Sequence, residues 1–387
     1  MIIQNLNDLA RTPLRKDALT IIEAGFDAIQ TDKVIKRSVS VEEKTLHIKG
    51  RSYDLTAFEN VYIVAFGKSS YQAAKSIEEI LGDHITQGYA IGVTQGEPLK
   101  KITTVVGTHP SPSDINHRTT QKIIELLKNT KENDLVLGII SGGGSALLAA
   151  PHDMSIETQA AITTELMNAG ADITELNIVR KHISDVKGGR LAALSYPAKL
   201  ITLIFSDVPG NDLSTIASGA TVMDPSTIQQ AQEIIEKYEI SDKTGISNIP
   251  FTESPKDPAV FEHVENILVL DPASAIEAME SKAKELGYET KVHSTTLEGD
   301  AHEVGKELLE NALPHTALLA SGETTVTITG SGSGGRNQEL VLANLKNIKE
   351  GQVLISAASD GHDHSNSAGA IGDAESIKRA KDNKLDI

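Results

Sequence analysis

The chain has 387 residues, with 36 Lys and Arg against 53 Asp and Glu, a formal net charge of −17, 39% hydrophobic residues and no cysteine. That length predicts two or three domains at roughly 100–200 residues each, and the acidic balance argues against nucleic-acid and anionic-membrane partners, because phosphate backbones reward clustered Lys and Arg. The missing cysteines exclude a disulfide scaffold, a thiolate metal site and a cysteine nucleophile. No apolar run approaches the ~20 residues of a membrane span. The opening MIIQNLNDLARTPLRKDALTII carries charges where a signal peptide needs an unbroken apolar stretch. A cytoplasmic globular protein is the expectation.

In chain order, 44–55 (KTLHIKGRSYDL) has short alternating runs about Lys49-Gly50 and predicts a small hairpin. Asn60–Phe66, 103–107, Asp134–Ile140 and Lys199–Phe205 are short, apolar and rich in β-branched residues, as suits strands covered on both faces of a parallel sheet. Amphipathic stretches at 69–81, 115–130 and 155–169 separate them and predict helices. The alternation reads as a Rossmann-like, doubly wound α/β domain. The segment 248–258 (NIPFTESPKDP) holds three prolines and marks a linker or long surface loop. Beyond it a second alternation begins with ILVLD and continues through a helix at 272–286, TKVHSTT and HTALLASGETTVTIT. Its closely spaced strands predict a smaller mixed α/β domain, so the expected domains are 1–250 and 251–387. A charged helix closes the sequence. No internal repeat is present.

The residues that follow each strand carry the chemistry. Gly67-Lys68-Ser69-Ser70, Thr108-His109-Pro110, Ser141-Gly142-Gly143-Gly144-Ser145 and Ser206-Asp207 all fall at predicted carboxyl ends, where open α/β sheets bind ligands. The glycine run at 141–145 lets backbone approach an anion and opens onto a helix start; a ligand-free strand-to-helix turn is the competing reading. Lys68 resembles the lysine of a P-loop, but Tyr62 stands where that motif needs glycine. Gly330, Gly332 and Gly335 formally fit a dinucleotide fingerprint after TTVTIT, and Arg336 follows as a clamp for phosphate. Asn177, Arg180 and Lys181 fall three and four apart and would share one helix face, either a basic site or a solvated surface. His362 and His364 read as surface histidines of a turn rather than metal ligands, whereas carboxylates such as Asp207 suit Mg²⁺. No G-x-S-x-G elbow is present.

Taken in order, AFGKSS, GTHPSPS, ISGGGSALL, ELNIVRKHISDVKGGRLA, FSDVPGNDLSTIASGATVMDPST, SGETTVTITGSGSGGRNQEL and AASDGHD resemble the glycerate 2-kinase family, whose members join a glycerate-kinase N-terminal domain to a MOFRL domain. The resemblance spans residues 60 to 373, most of the chain. It implies ATP- and Mg²⁺-dependent phosphorylation of D-glycerate at its 2-hydroxyl, in a cleft between the two domains of a homodimeric enzyme. It places the family's active-site lysine on Lys68 and its arginine on Arg336. On this basis the loop Ser141, Gly142, Gly143, Gly144 and Ser145 is expected to hold nucleotide phosphates. Lys68, His109, Asn177, Arg180, Lys181 and Arg336 are expected to face substrate. Asp207 is expected to bind Mg²⁺ or to accept the hydroxyl proton, with Asp360 a further metal ligand. After Asp363 this chain reads His364-Ser365-Asn366 in place of the family's usual glycine and proline, and the Gly-Pro-Thr-rich continuation is absent. A nicotinamide-dependent hydroxy-acid dehydrogenase using the 330–335 loop, and a non-catalytic regulator that binds an acid or sugar phosphate, are the alternatives.

Overall fold

A computed structural model describes residues 2–206, 208–330 and 332–385. The chain forms two compact units, Thr31–Asp271, and Met1–Gln30 with Pro272–Ile387.

In the larger unit, β1 (Val39–Glu42), β2 (Thr45–Ile48) and β3 (Arg51–Asp54) make a three-stranded antiparallel sheet. The β2–β3 turn is Lys49-Gly50 at φ 47° and 79°, the double left-handed geometry that a two-residue hairpin requires. The main sheet contains β4 (Asn60–Phe66), β5 (Gln87–Gly92), β6 (Ile102–Val106), β7 (Asp134–Ile140), β8 (Lys199–Phe205) and β9 (Val264–Leu270). All six strands are parallel, in the order β6-β5-β4-β7-β8-β9.

Every residue of β7 is buried, which explains its continuous apolar sequence. Leu135, Leu137 and Ile139 point to the face covered by the helix Ser70–Leu81 through Ala73, Ala74 and Ile77. Val136 and Ile140 point to the opposite face, covered by Asp114–Lys128 through Ile123 and Leu127.

The compact units divide the chain differently from 1–250 and 251–387. ILVLD does not open the smaller unit: β9 pairs with β8 from Leu200↔Val264 onward and completes the main sheet. The first thirty residues join the smaller unit because the helix Pro13–Ala28 packs on Ala273–Glu285. Gly25 makes this approach possible, since a Cβ there would lie 2.8 Å from Met279 Cγ and 3.2 Å from the Ala275 carbonyl.

The smaller unit pairs β10 (Glu289–Asp300) with β11 (Thr316–Thr325) in parallel, and β12 (Leu354–Ala357) with β13 (Gly369–Gly372) antiparallel. A buried ion pair ties its N-terminal helix to its C-terminal one. Arg15 Nε donates to Asp373 Oδ2 and a terminal guanidinium nitrogen to Oδ1, both at 2.7 Å. Asp373 also caps the helix Ala374–Asp382 through the Ser376 amide.

Burial pushes the Asp373 carboxyl up, but the hydrogen bonds from Arg15 and Ser376 outweigh it and hold the group below the usual carboxylate range. The stability it contributes is full above the unfolded pKa and is lost as pH falls through the lowered native value. Arg15→Ala strands a buried carboxylate and should cost about 3–5 kcal/mol, read as a lower urea midpoint. That midpoint should also depend less on acid pH than the wild type's.

Candidate active site at the switch point of the parallel sheet

From β4 the chain builds outward through β5 and β6, then returns to the other flank of β4 for β7, β8 and β9. The direction of winding therefore reverses between β4 and β7, and the crevice outside their carboxyl ends is where such sheets bind ligands. The two loops leaving these strands are in direct contact. Ser141 N–H donates to the Phe66 carbonyl at 3.1 Å, Lys68 N–H to the Gly142 carbonyl at 2.8 Å, and Ser69 N–H to Ser141 Oγ at 3.1 Å. Gly67, at φ +122°, permits the contact: a Cβ there would sit 2.2 Å from Ser141 Oγ and 2.4 Å from its carbonyl oxygen.

Lys68, His109 and the 141–145 loop are brought together. A Cβ on Gly143 would lie 2.9 Å from the His109 ring and 3.2 Å from Lys68 Cγ, so both side chains rest against this glycine. Lys68 and His109 are exposed. Among the described residues the amides of Gly142 and Gly143 donate no hydrogen bond. The loop bearing His109 is fastened by Asn116, fully buried. Asn116 accepts from Thr108 N–H and donates to the Thr108 and Ala146 carbonyls, each at 2.9 Å. Asn116 had no sequence signal beyond a polar residue on a helix face that it shares with Thr119, Thr120 and Ile123.

Behind the loop lies a buried polar layer. Ser218 donates to Asn177 Oδ1 at 2.9 Å, so Ser145 donates to Ser218 Oγ, also at 2.9 Å. Ala217 and Ser218 hold left-handed backbone at φ 49° and 54°, a strained conformation of the kind that gathers at functional sites. Lys187, almost fully buried, donates to the Ser145 and Leu148 carbonyls, both at 2.7 Å. Ser218 gives no sequence signal of its own, and Lys187 reads in sequence only as one of the basic residues of Lys187-Gly188-Gly189-Arg190, although both stand inside the quoted motifs.

The expected helix bearing Asn177, Arg180 and Lys181 forms at Ile173–His182, but its three polar residues part company. Asn177 reaches the 141–145 loop only through Ser218. Lys181 is buried and ion-paired with Asp224 at 3.1 Å. Arg180 is half-buried, and burial pushes its guanidinium pKa down.

Asp207 lies outside the described residues. The same loop carries exposed Asp212, which accepts from the Ser214 amide and hydroxyl and from the Thr215 hydroxyl. Burial works to raise this carboxyl, but those bonds outweigh it and hold it low. Asp360, in the smaller unit, is exposed and accepts from the His362 amide at 3.0 Å. Among the described residues no group of three or more His, Asp or Glu is placed to share a metal ion. His362 and His364 are exposed in a turn, as their sequence suggests.

Arg336 begins the helix Arg336–Ala343 and pairs with Glu323 at 2.6 Å. The acid that organises this helix start is Asp363, buried, accepting from the Asn337 and Gln338 amides at 3.1 and 2.8 Å. The 330–335 loop does not sit in a dinucleotide-binding unit. After the helix, β12 pairs antiparallel with β13 rather than parallel with β11, so the βαβ frame that the fingerprint needs is missing.

Comparison with known proteins fits this geometry. A family model described as a domain of unknown function, DUF4147, matches residues 17–248, and the MOFRL family model matches residues 316–387. A D-glycerate 2-kinase of Thermotoga maritima is 34% identical over 385 residues, covering 95% of this chain and 88% of the relative. A protein of Agrobacterium vitis named a putative hydroxypyruvate reductase is also 34% identical, covering 84% of this chain and 78% of its own. The crystal structure of a glycerate kinase from Thermotoga maritima matches with a TM-score of 0.80 at 32% identity, covering 97% of this chain and 90% of that one. With both family segments in order and a kinase relative matched over nearly its whole length, the chain belongs to the glycerate 2-kinase family of ATP-dependent kinases.

Proposed function

We propose that the protein transfers the γ-phosphoryl group of ATP to the 2-hydroxyl of D-glycerate, giving 2-phosphoglycerate and ADP. The observation that carries this is the convergence of Lys68, His109 and the unpaired Gly142 and Gly143 amides at the switch point of the parallel sheet. Phosphoryl transfer asks the protein mainly for positioning and for positive charge on the moving group. Loop amides hold the nucleotide phosphates, and Lys68 stands beside them on a strand end fixed by backbone hydrogen bonds. Arg336, the arginine that the resemblance assigns to the active site, would supply the second cation. Its Glu323 partner is exposed, and an exposed pair is worth only about 0–1 kcal/mol, so a phosphate displaces it at little cost.

Mg²⁺ suits the acidic residues that follow β8. This dication takes one or two carboxylates together with substrate phosphates, and Asp212 is held ionised there. Asp207 and Asp212 would hold the ion, which neutralises phosphate charge. Asp207 acting as acceptor of the hydroxyl proton is the other role open to it. A homodimer, which rests on the family resemblance, and a cytoplasmic location, which rests on the cysteine-free composition, belong to the same proposal. Hydride transfer is not favoured, because the glycine-rich 330–335 loop lacks its βαβ frame.

Purified protein with D-glycerate, ATP and Mg²⁺ should release ADP and give the phosphorus NMR signal of 2-phosphoglycerate. A 3-phosphoglycerate signal would overturn the choice of hydroxyl, and absence of turnover the reaction itself. Lys68→Ala should lower kcat about 10²–10³-fold, as for loss of one preorganised donor. Arg336→Ala should lower it about 10³-fold or more, within the range of arginine clamps. Near-normal turnover of either folded variant would remove that residue from the site. Gly67→Ala should abolish activity, since its methyl group meets the backbone of Ser141; wild-type kcat would show that the two loops need not touch.

A further inference from the structure

Among the described residues, Lys187 is a buried cation without a carboxylate partner. Its ammonium lies on the inner side of the loop whose outer amides are unpaired, and it bonds the carbonyls of Ser145 and Leu148 at 2.7 Å each. The first carbonyl lies within the single turn Gly144–Leu147 and the second directly follows it, and the turn is closed by the Leu148 amide on the Gly144 carbonyl. A donor that spans them fixes that turn from behind. We propose that Lys187 is a positioning residue for the 141–145 loop, clamping its turn and placing a buried positive charge that couples anion binding on the loop to proton uptake. This rests on the assignment of nucleotide phosphates to the loop made above.

The described charged groups around Lys187 leave it uncompensated. Arg180, on the helix Ile173–His182, repels it. Lys181 on the same helix is neutralised by Asp224, and Asp185 is paired with His152. Arg190 gives its hydrogen bonds to the carbonyls of Lys181, Lys187 and Thr252. Asp212, on the β8 loop, is occupied by Ser214 and Thr215. Burial first, and Arg180 second, bring the Lys187 pKa down to about 7. A neutral amine still has two N–H groups for the two carbonyls. Deprotonation therefore removes the charge and keeps the clamp.

An anion on the far side of the loop favours the ammonium and raises its pKa, and by linkage the ammonium favours the anion equally. The sign follows. Affinity is greatest below about pH 7 and falls as pH rises from the free value of Lys187 to its higher value in the complex. The fall is about tenfold for each unit by which the anion raises that pKa.

Titration calorimetry of the whole protein with ADP and MgCl₂ at pH 8, in buffers of differing ionisation enthalpy, tests this directly. Wild type should take up a fraction of a proton per ADP bound. Lys187→Met should abolish the uptake, and its loss of ADP affinity relative to wild type should narrow as pH rises from 6.5 to 9. A purely structural lysine would give a pH-independent loss. His109 and Lys68 are the other titratable groups against the loop, and uptake that persists in Lys187→Met would assign the proton to one of them and overturn the proposal. ADP binding to wild type without uptake overturns it too, with no variant needed. If wild type fails to bind ADP, the phosphate assignment of the loop falls first and this coupling with it.

Discussion

The contact between the loops that follow β4 and β7 is the constraint on which the rest of the larger unit depends. The two strands pair in register over their whole length, from Asn60↔Asp134 to Phe66↔Ile140. At the entry end the register is pinned by Asp134, buried, which accepts from the Asn60 side chain and the Lys131 amide at 2.8 Å each. Two strands pinned at one end and equal in length must release their loops at the same height. Both loops then compete for one volume, and glycine at 67 resolves the competition by leaving room for Ser141. Lys68 inherits its position from this arrangement: its amide, rather than its side chain, is what the protein fixes, and the side chain remains exposed to meet a ligand.

A chain with net charge −17 has to build a local positive field to receive an anionic substrate. It does so by burying cations and giving them unequal compensation. Lys181 receives a full carboxylate from Asp224, which is itself held by the hydroxyls of Ser226 and Ser254. Among the described residues Lys187 receives only backbone carbonyls, which satisfy hydrogen bonding without cancelling charge, whereas Arg190 also bonds carbonyls but has Asp185, Asp224 and Glu253 nearby to favour its charge. The first arrangement is structural, because a compensated pair projects little field. The arrangement at Lys187 leaves net positive potential beneath the loop, and low local polarisability makes that potential stronger than the same charge would give in water.

Much of the architecture was legible because the parallel strands advertise themselves. Asn60–Phe66, Asp134–Ile140 and Lys199–Phe205 are apolar on both faces, and their sequence bounds coincide with the strands. β5 was not legible: QGYAIG carries glycines that argue against a strand, yet a Cβ on Gly88 would lie 2.6 Å from the Ile63 carbonyl oxygen, so close packing on β4 is what selects that glycine. The membership of β9 was hidden for another reason. A strand's sequence does not say which sheet it joins, and the proline-rich stretch before it reads like a boundary although the chain crosses it and returns to β8. Lys68, His109 and the glycine loop were legible from their place after strands. Asn116, Lys187 and Ser218 were not, because a buried polar residue that serves a backbone carbonyl or hydroxyl looks in sequence like any surface residue. The same ambiguity hid the burial of Lys181.

Asp363 shows how a functional-looking motif divides between structural and chemical duties. Its carboxylate accepts four hydrogen bonds from Asn337 and Gln338. Those bonds, rather than low burial, keep it ionised against a burial effect that would raise its pKa. A carboxylate at a helix start satisfies orphan amides and is favoured by the helix dipole, and here it comes from a loop over twenty residues downstream. A Cβ on Gly335 would lie 2.3 Å from that carboxylate. The last glycine of the apparent dinucleotide fingerprint is therefore accounted for by the cap, with no nucleotide invoked. Capping also fixes the first turn of the helix on which Arg336 stands, so the direction of the proposed phosphate clamp depends on an acid that never needs to touch substrate. Gln338 extends the tie to Ser365 at 2.8 Å.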